Sequence, residues 1–405
     1  MIDLASVRAR IPALEQSVYL NTGGVAPLPE PVYRRLMSEF DERHLMGAPL
    51  NLRPRSFQEQ KDRLRSELAS FLGARAEEIC FTRGVSDGAN IVLNGYPWKE
   101  GDEIILTDEE YPSFILPALT LEKRRGIRIR VLKLVDDRAT LLQRLEDLLS
   151  PRTRLVAVSH VTTDSGFRLP ARAICSLAHQ AGVQVYFDGA QAVGQLPVDL
   201  DWIGCDYYSL LSYKWLLGPY SAGLLYVRRD RQEDLEVDWV GARATASFDL
   251  KTRLLRLLPD ARRFEFGPFP WPLYFALGDA AAWLSELGLR DIEEEVQQKV
   301  ETLRTGLLAI PGVTIRSPAA RDLRTGMVAF SLAAATGEAV SIALRQRRNI
   351  ITRATDVRFE GVRACVAFYT SADEIDALLE CLSDLAAEAR RSTSIITSFP
   401  QGATP

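Results

Sequence analysis

Between residues 79 and 227 the chain alternates between short apolar runs and helical patterns, and that alternation narrows the folds open to it. Ile79–Thr82, Glu103–Thr107, Ile127–Leu134, Arg154–His160, Val183–Asp188, Tyr207–Leu211 and Gly223–Val227 each read as a short, mostly buried strand. Gly88–Gly95, Ser113–Arg125, Ala139–Leu149 and Pro170–Ala181 carry apolar residues at helical spacing between most of them. Strands separated by helices build a mostly parallel sheet covered on both faces. The expectation is therefore an α/β domain around a seven-stranded, mostly parallel sheet, with ligands bound beyond the carboxyl ends of the strands.

Past about Asp260 the pattern changes. Trp271–Leu287 and Leu289–Leu308 read as long helices. Val313–Arg316, Met327–Leu332 and Val362–Tyr369 read as strands, with helices near Glu338–Gln346 and Ala372–Arg390. This predicts a smaller α+β domain. The expected division is 15–265 for the large domain, 1–14 with 266–391 for the small one, and a polar, mobile tail at 392–405.

Two islands stand at the ends of predicted strands: Val183-Gln-Val-Tyr-Phe-Asp188-Gly-Ala-Gln191, and Asp206-Tyr-Tyr-Ser-Leu-Leu-Ser212-Tyr213-Lys214-Trp215-Leu-Leu-Gly218-Pro219. One apolar run ends in a carboxylate. The other ends in a lysine flanked by a hydroxyl, an aromatic and a Gly-Pro turn. An acid that keeps a pyridine nitrogen protonated and an amine that captures an aldehyde are what pyridoxal phosphate chemistry requires. Each residue also has a plainer use. Lys214 serves equally as a surface lysine, and Asp188 as a helix cap. A ribose-binding role for Asp188 is weak, because no GxGxxG loop precedes it. Gln191 is placed to reach a ring hydroxyl.

Other segments supply candidates with the same ambiguity. Thr82-Arg-Gly84-Val85-Ser86-Asp87-Gly88-Ala-Asn90 follows a strand and opens a helix. Its amides and the Ser86 hydroxyl make either a phosphate cradle or a capped turn. In Glu110-Tyr111-Pro112-Ser113 the Tyr111 ring either lies flat on a cofactor or fills core. Arg353 and Arg363 offer fork-shaped clamps for a substrate carboxylate, or ordinary salt bridges. Arg358 reads as facing water rather than a second anion. Pro219-Tyr-Ser221-Ala-Gly223 lacks the first glycine of a nucleophile elbow and precedes a strand, so a serine hydrolase is rejected.

Composition closes several doors. A formal net charge of −4 gives no reason to expect nucleic acid or a membrane surface as partner. Five cysteines without CxxC spacing, and three histidines without HExxH, argue against disulfides and metal and fit a reducing cytoplasm. The N-terminal ten residues show neither a signal peptide nor a spanning segment.

Taken together, these residues resemble the class V aminotransferase and cysteine desulfurase group of fold-type I pyridoxal phosphate enzymes. The resemblance runs from Tyr19-Leu-Asn-Thr-Gly-Gly-Val-Ala-Pro to Tyr369-Thr-Ser-Ala-Asp-Glu-Ile. The Asp-Tyr-Tyr strand, the Lys-Trp pair and the Val-Arg-Ala-Cys ending are most similar to the cysteine/cystine C–S lyase branch, with the isopenicillin N epimerase-like proteins also similar. The resemblance implies that Lys214 is the Schiff-base lysine, Asp188 the partner of the pyridine nitrogen, Gln191 the ring-hydroxyl contact and Tyr111 the stacking residue usually held by His. It places Val85 and Ser86 at the phosphate-loop pair, Ser212 and Tyr213 where Ser/Gly-His precedes the lysine, and Arg353 at the α-carboxylate clamp. It further implies a homodimer with the active site near the subunit interface. The pocket would then be lined by Asn21–Ala26 (Asn21 and Gly23 among them), by Trp271 and neighbours from a partner subunit, and by Arg353–Gly361.

The chain departs from the family pattern at several positions. Ala354-Thr-Asp-Val-Arg358 holds no persulfide cysteine. Thr163 stands for the usual Asn, Pro268 for a Thr that reaches the neighbouring subunit's phosphate, Ser221 for a glycine, and Val85 for a hydroxyl. The expected function is a lyase eliminating the β-substituent of a cysteine-type amino acid after Lys214 takes the Cα proton. A class V aminotransferase or an epimerase is the alternative. A non-catalytic protein keeping only the fold is the reading from a different class, favoured by Val85, Pro268 and Thr163 and opposed by Lys214, Asp188 and Gln191.

Overall fold

The structure, a computed structural model, describes residues 2–47, 54–355 and 358–397. The chain opens with α1 (Leu4–Ala9), β1 (Val18–Tyr19), α2 (Glu30–Met46) and α3 (Pro54–Phe71). It continues through β2 (Ile79–Thr82), α4 (Val85–Gly95), β3 (Glu103–Thr107), α5 (Pro112–Arg125), β4 (Arg128–Leu132), α6 (Arg138–Leu148) and β5 (Thr153–Ser159). Then come α7 (Ala171–Gln180), β6 (Gln184–Asp188), α8 (Leu200–Ile203), β7 (Tyr207–Leu211) and β8 (Gly223–Val227).

Strands β2 to β8 form one seven-stranded sheet in the order β2-β8-β7-β6-β5-β3-β4. Strands β3 to β7 pair in parallel, as helical crossovers demand, and β8 runs antiparallel to both its neighbours. Only residues 212–222 join β7 to β8. That is too short for a crossover helix, so the chain turns straight back, and the turn carries Lys214. Side chains alternate between two cores. Val156, Val158, Val185 and Phe187 face one layer, while Leu155, Ala157 and Tyr186 face the other.

Beyond a hairpin of β9 (Thr245–Asp249) and β10 (Leu254–Leu257) the chain builds α9 (Trp271–Leu287) and α10 (Leu289–Ala309). The remaining elements are β11 (Val313–Ile315), β12 (Met327–Leu332), α11 (Gly337–Arg348), β13 (Ile350–Ile351), β14 (Arg353–Thr355), β15 (Gly361–Cys365) and α12 (Ala372–Thr397). A four-stranded antiparallel sheet, β11-β12-β15-β14, forms here. Strand β1 pairs in parallel with β13, and the Leu20 carbonyl accepts from the Cys365 amide. These bonds bring residues 21–26 against the carboxyl edge of the large sheet. Arg8 reaches Glu374 at 2.8 Å.

Several sequence expectations are corrected. The helix predicted at Gly88 starts at Val85, one turn earlier, because Gly84 at φ +152° lets the chain enter it directly from β2. The strand predicted to Tyr369 ends at Cys365, where β12 stops pairing with it. Residues 392–397 of the predicted tail continue α12, and 398–405 lie outside the described residues. Helices α2 and α3, the β9–β10 hairpin and the short strands β1, β13 and β14 were not foreseen.

Candidate active site

Asp188 ends β6 opposite Ser159, the last residue of β5. A Cβ on Gly189 would fall 2.1 Å from the Tyr208 ring, so the turn after the acid admits only glycine. The Ala190 amide donates to Asp188 Oδ1 at 2.8 Å, and the second oxygen accepts nothing among the described residues. Burial raises the Asp188 carboxyl to about 6, opposed by the Ala190 amide and by Lys214.

Lys214 is 8 % exposed, and its Nζ makes no hydrogen bond or ion pair with any described residue. Its Nζ lies 5.5 Å from the centroid of the Tyr111 ring, which stands at the start of α5. Burial pulls the ammonium down to about 8; Asp188 opposes this, while Arg363 and Arg353 add to it. About a tenth of such an amine is uncharged at pH 7, far more than for an ordinary lysine, so it is better able to act as a nucleophile.

The turn around Lys214 is fixed from several sides. The Ser212 hydroxyl donates to the Pro219 carbonyl, and the Gly218 amide to the Ser212 carbonyl at 2.9 Å. The Ala26 amide donates to the Tyr213 carbonyl at 2.8 Å, and the Tyr213 ring stacks on Tyr220. The Trp215 indole donates to Gln191 Oε1 at 2.8 Å, and Gln191 Nε2 donates to the Gly23 carbonyl at 2.9 Å and to Thr163 Oγ1 at 3.4 Å. Leu217 and Ser221 both have left-handed backbone, at φ +53° and +59°. The glycine that Ser221 replaces would relieve strain of roughly 1–2 kcal/mol.

Asp188 and Lys214 line one cavity of about 380 Å³ at the carboxyl edge of the sheet. At its other pole stands the start of α4, where Gly84 provides no side-chain cap. The amides of Val85, Ser86 and Asp87 find no acceptor among the described residues. Ser86 Oγ lies 3.1 Å from Ser113 Oγ at the start of α5, and Arg83 holds Asp87 through two bonds of 2.8 Å. Tyr111, Ser159, Thr163, Gln191, Tyr213 and Ser221 complete the wall.

Arg363 is fully buried on β15. Its Nη1 donates to the Thr163 carbonyl at 2.5 Å and its Nη2 to Asn21 Oδ1 at 3.4 Å, while Nε has no partner. No carboxylate among the described residues pairs with it. Arg353, its cross-strand partner on β14, is exposed.

Some predicted residues stand elsewhere. Ser212 is fully buried with its hydroxyl turned to Pro219, and neither it nor Pro268 lines the cavity of its own chain. Trp271 packs among Phe57, Phe81 and Phe275 of its own chain. Arg358 is exposed, as the sequence reading expects, yet it is also paired. It donates to Glu109 at 2.9 Å, and Glu109 also accepts from the Asp164 and Ser165 amides and from Ser165 Oγ. Beside it, Glu110 accepts from Thr107 Oγ1 at 2.6 Å and Ser159 Oγ at 2.6 Å, and burial lifts its carboxyl to about 7. Sequence reasoning gave no role to Glu109, Ser159 or Trp215. Three consecutive acids, Asp108 to Glu110, after an apolar strand were the one available signal, since acids are seldom buried without partners.

A partner-free lysine and a buried carboxylate at the carboxyl edge of this sheet, facing a bare helix N-terminus, define a fold-type I pyridoxal phosphate enzyme. Residues 18–378 match the aminotransferase class-V family, and the chain belongs to it. It is 29 % identical over 398 residues to a probable cysteine desulfurase of Methanothermobacter thermautotrophicus, covering 94 % of this chain and 97 % of the relative. Among solved structures it is similar to a lysine-to-alanine variant of C-DES with glycine covalently linked to the PLP cofactor (TM-score 0.85, 29 % identity, 93 % of this chain and 99 % of the other). It is also similar to the cystine C–S lyase C-DES in complex with its reaction product, cysteine persulfide (TM-score 0.83, 28 % identity, 92 % and 99 %). The residues present fit pyridoxal phosphate: an unpaired amine for the aldehyde, a carboxylate oxygen without a donor for the pyridinium, and unpaired amides for the phosphate.

Proposed function

We propose that this chain is a pyridoxal phosphate-dependent C–S lyase that removes the β-sulfur substituent of a cysteine-type amino acid. The observation that carries the reading is Lys214, buried without a partner in the cavity that also holds Asp188 and lowered to about 8 by that burial. The cofactor, when bound, supplies the electron sink that acidifies the substrate Cα–H. Lys214 anchors the aldehyde and then, as a free amine, takes the Cα proton. Asp188 presents its unoccupied oxygen to the ring nitrogen, and a cation set there draws its carboxyl back toward the ionised form. Tyr111 covers the cavity beside the amine, and Gln191 is held in the wall by Gly23 and Trp215.

Arg363 is better suited than Arg353 to hold the substrate α-carboxylate. A buried guanidinium bonded only to neutral oxygens, with Nε unpaired, has charge still to be neutralised. Arg353, exposed beside it, suits a second anionic group at the mouth. Residues 353–361 contain no cysteine, and Cys365 is fully buried. Sulfur therefore leaves with the product rather than on an enzyme thiol, as the C–S lyase relative's complex also suggests for that protein.

The enzyme acts as a homodimer in a reducing cytoplasm. Tyr33, Met37 and Phe40 leave an exposed apolar stripe on α2, and Phe248, Leu250, Leu254 and Leu255 another at the β9–β10 hairpin. Exposed apolar patches of this kind suit a subunit interface. All five cysteines are free and buried. No helix among the described residues is long and apolar enough to cross a membrane.

Incubation with cysteine, cystine and cysteine S-conjugates, without any 2-oxo acid, tests the reading. Pyruvate, ammonia and a sulfur-bearing leaving group are expected from at least one of them. Turnover that appears only when a 2-oxo acid is supplied would replace lyase by aminotransferase.

A further inference from the structure

The family's phosphate loop is short of hydroxyls in this chain, since Val85 and Pro268 stand where hydroxyls are expected. A second helix start supplies one. Helix α5 begins at Pro112, which has no N–H, and the Ser113 amide finds no acceptor among the described residues. Ser113 Oγ lies 3.1 Å from Ser86 Oγ in the first turn of α4. Both line the cavity that holds Lys214, itself more than nine-tenths buried and without a partner, so the cavity is built to take a ligand. Two helix N-termini, of 11 and 14 residues, thus converge on one spot. Each offers an unpaired amide and a hydroxyl, a combination suited to an anion. Of the four charged residues lining the cavity, Arg83, Asp87, Asp188 and Lys214, the first two pair with each other through two bonds of 2.8 Å, so Asp87 does not stand as an uncompensated charge against a phosphate.

We propose that Ser113 is a phosphate-binding residue, so that the cofactor phosphate is held between α4 and α5 rather than on α4 alone. The proposal rests on the reading of Lys214 and Asp188 as a pyridoxal phosphate site. It assigns to Ser113 the hydroxyl that the family pattern expects at Val85.

The test titrates apoprotein with pyridoxal phosphate and with pyridoxal, which lacks the phosphate, following the visible absorbance of the lysine-bound cofactor. A hydrogen bond to a charged group makes a difference of roughly tenfold or more in binding. Ser113→Ala is expected to weaken pyridoxal phosphate by about that factor and leave pyridoxal unchanged, as Ser86→Ala also does. Ser113→Thr, which keeps the hydroxyl, restores the wild-type preference. Equal losses for both ligands in Ser113→Ala would make the residue merely structural and overturn the proposal, as would no loss for either. A wild-type apoprotein that takes up neither ligand would instead overturn the underlying reading of the site.

Discussion

The two edges of the large sheet each hold a buried aspartate, and the two are treated in opposite ways. Asp206, entering β7 at the amino edge, is saturated. It accepts from the Val185 amide at 2.7 Å, from His179 at 2.8 Å and from Arg231 at 3.0 Å, and forms an ion pair with Arg228 at 2.9 Å. Asp188, leaving β6 at the carboxyl edge, has one amide and an oxygen with no donor among the described residues, and Lys214, the cation that acts on it, is itself disfavoured as a charge. The sheet rests on the first acid and leaves the second unfinished. A group left short of partners in a packed interior is held for a ligand that completes it.

Substitution separates the two roles, and the largest effects are expected there. Asp188→Asn should reduce turnover by about 10²–10³-fold, the scale of removing a fixed partner of developing charge. The apoprotein's melting temperature should not fall. Asp188 has a folded pKa raised to about 6 above its ordinary 3.8. It therefore favours folding only where it stays protonated; the benefit fades as pH rises through that window, and a neutral amide is spared the loss. Asp206→Ala should do the reverse, costing about 3 kcal/mol or more by freeing three basic side chains, with activity per folded molecule kept. Denaturant melts and initial rates on the same preparations check both. Equal stability losses in the two variants would erase the contrast.

A smaller effect concerns the amine. Cofactor uptake by the apoprotein should quicken by about tenfold per pH unit and level off near pH 8, because Lys214 reacts as the neutral amine and burial lowers it to about 8. A rate still climbing well above that, toward the ordinary lysine value of 10.5, would mean that the cavity does not desolvate it. Smaller again is Arg358→Ala. Glu109 keeps three other donors, so a loss of about 1–2 kcal/mol and a raised KM with little change in kcat are expected, as the strand-connecting segment beside Arg363 loosens.

The seven strands of the large sheet and the Asp188–Lys214 pair were legible because both are local: apolar runs of the right length, each closed by a chemical group. What was hidden depends on distant pairing. Strand β1 exists only because residues 350–351 lie beside it, and its two residues carry no pattern of their own. Arg358 is exposed as read, but its bond to Glu109 was hidden because the two are nearly 250 residues apart in the chain. The packing of Trp271 against Phe57 was hidden because Phe57 lies on α3, a helix the sequence pattern had not revealed. Arg353 and Arg363 were equal candidates by composition. Their places in the small sheet tell them apart: Arg363 sits on the inner strand β15 and is buried, whereas Arg353 sits on the edge strand β14 and is exposed.

Borohydride reduction of the holoenzyme followed by peptide mapping tests the central claim most directly, because it fixes the cofactor to whichever amine holds it. The phosphopyridoxyl group should be found on Lys214, at one per chain. A label on any other lysine, or a protein that incorporates none under conditions where it is folded, would contradict the account.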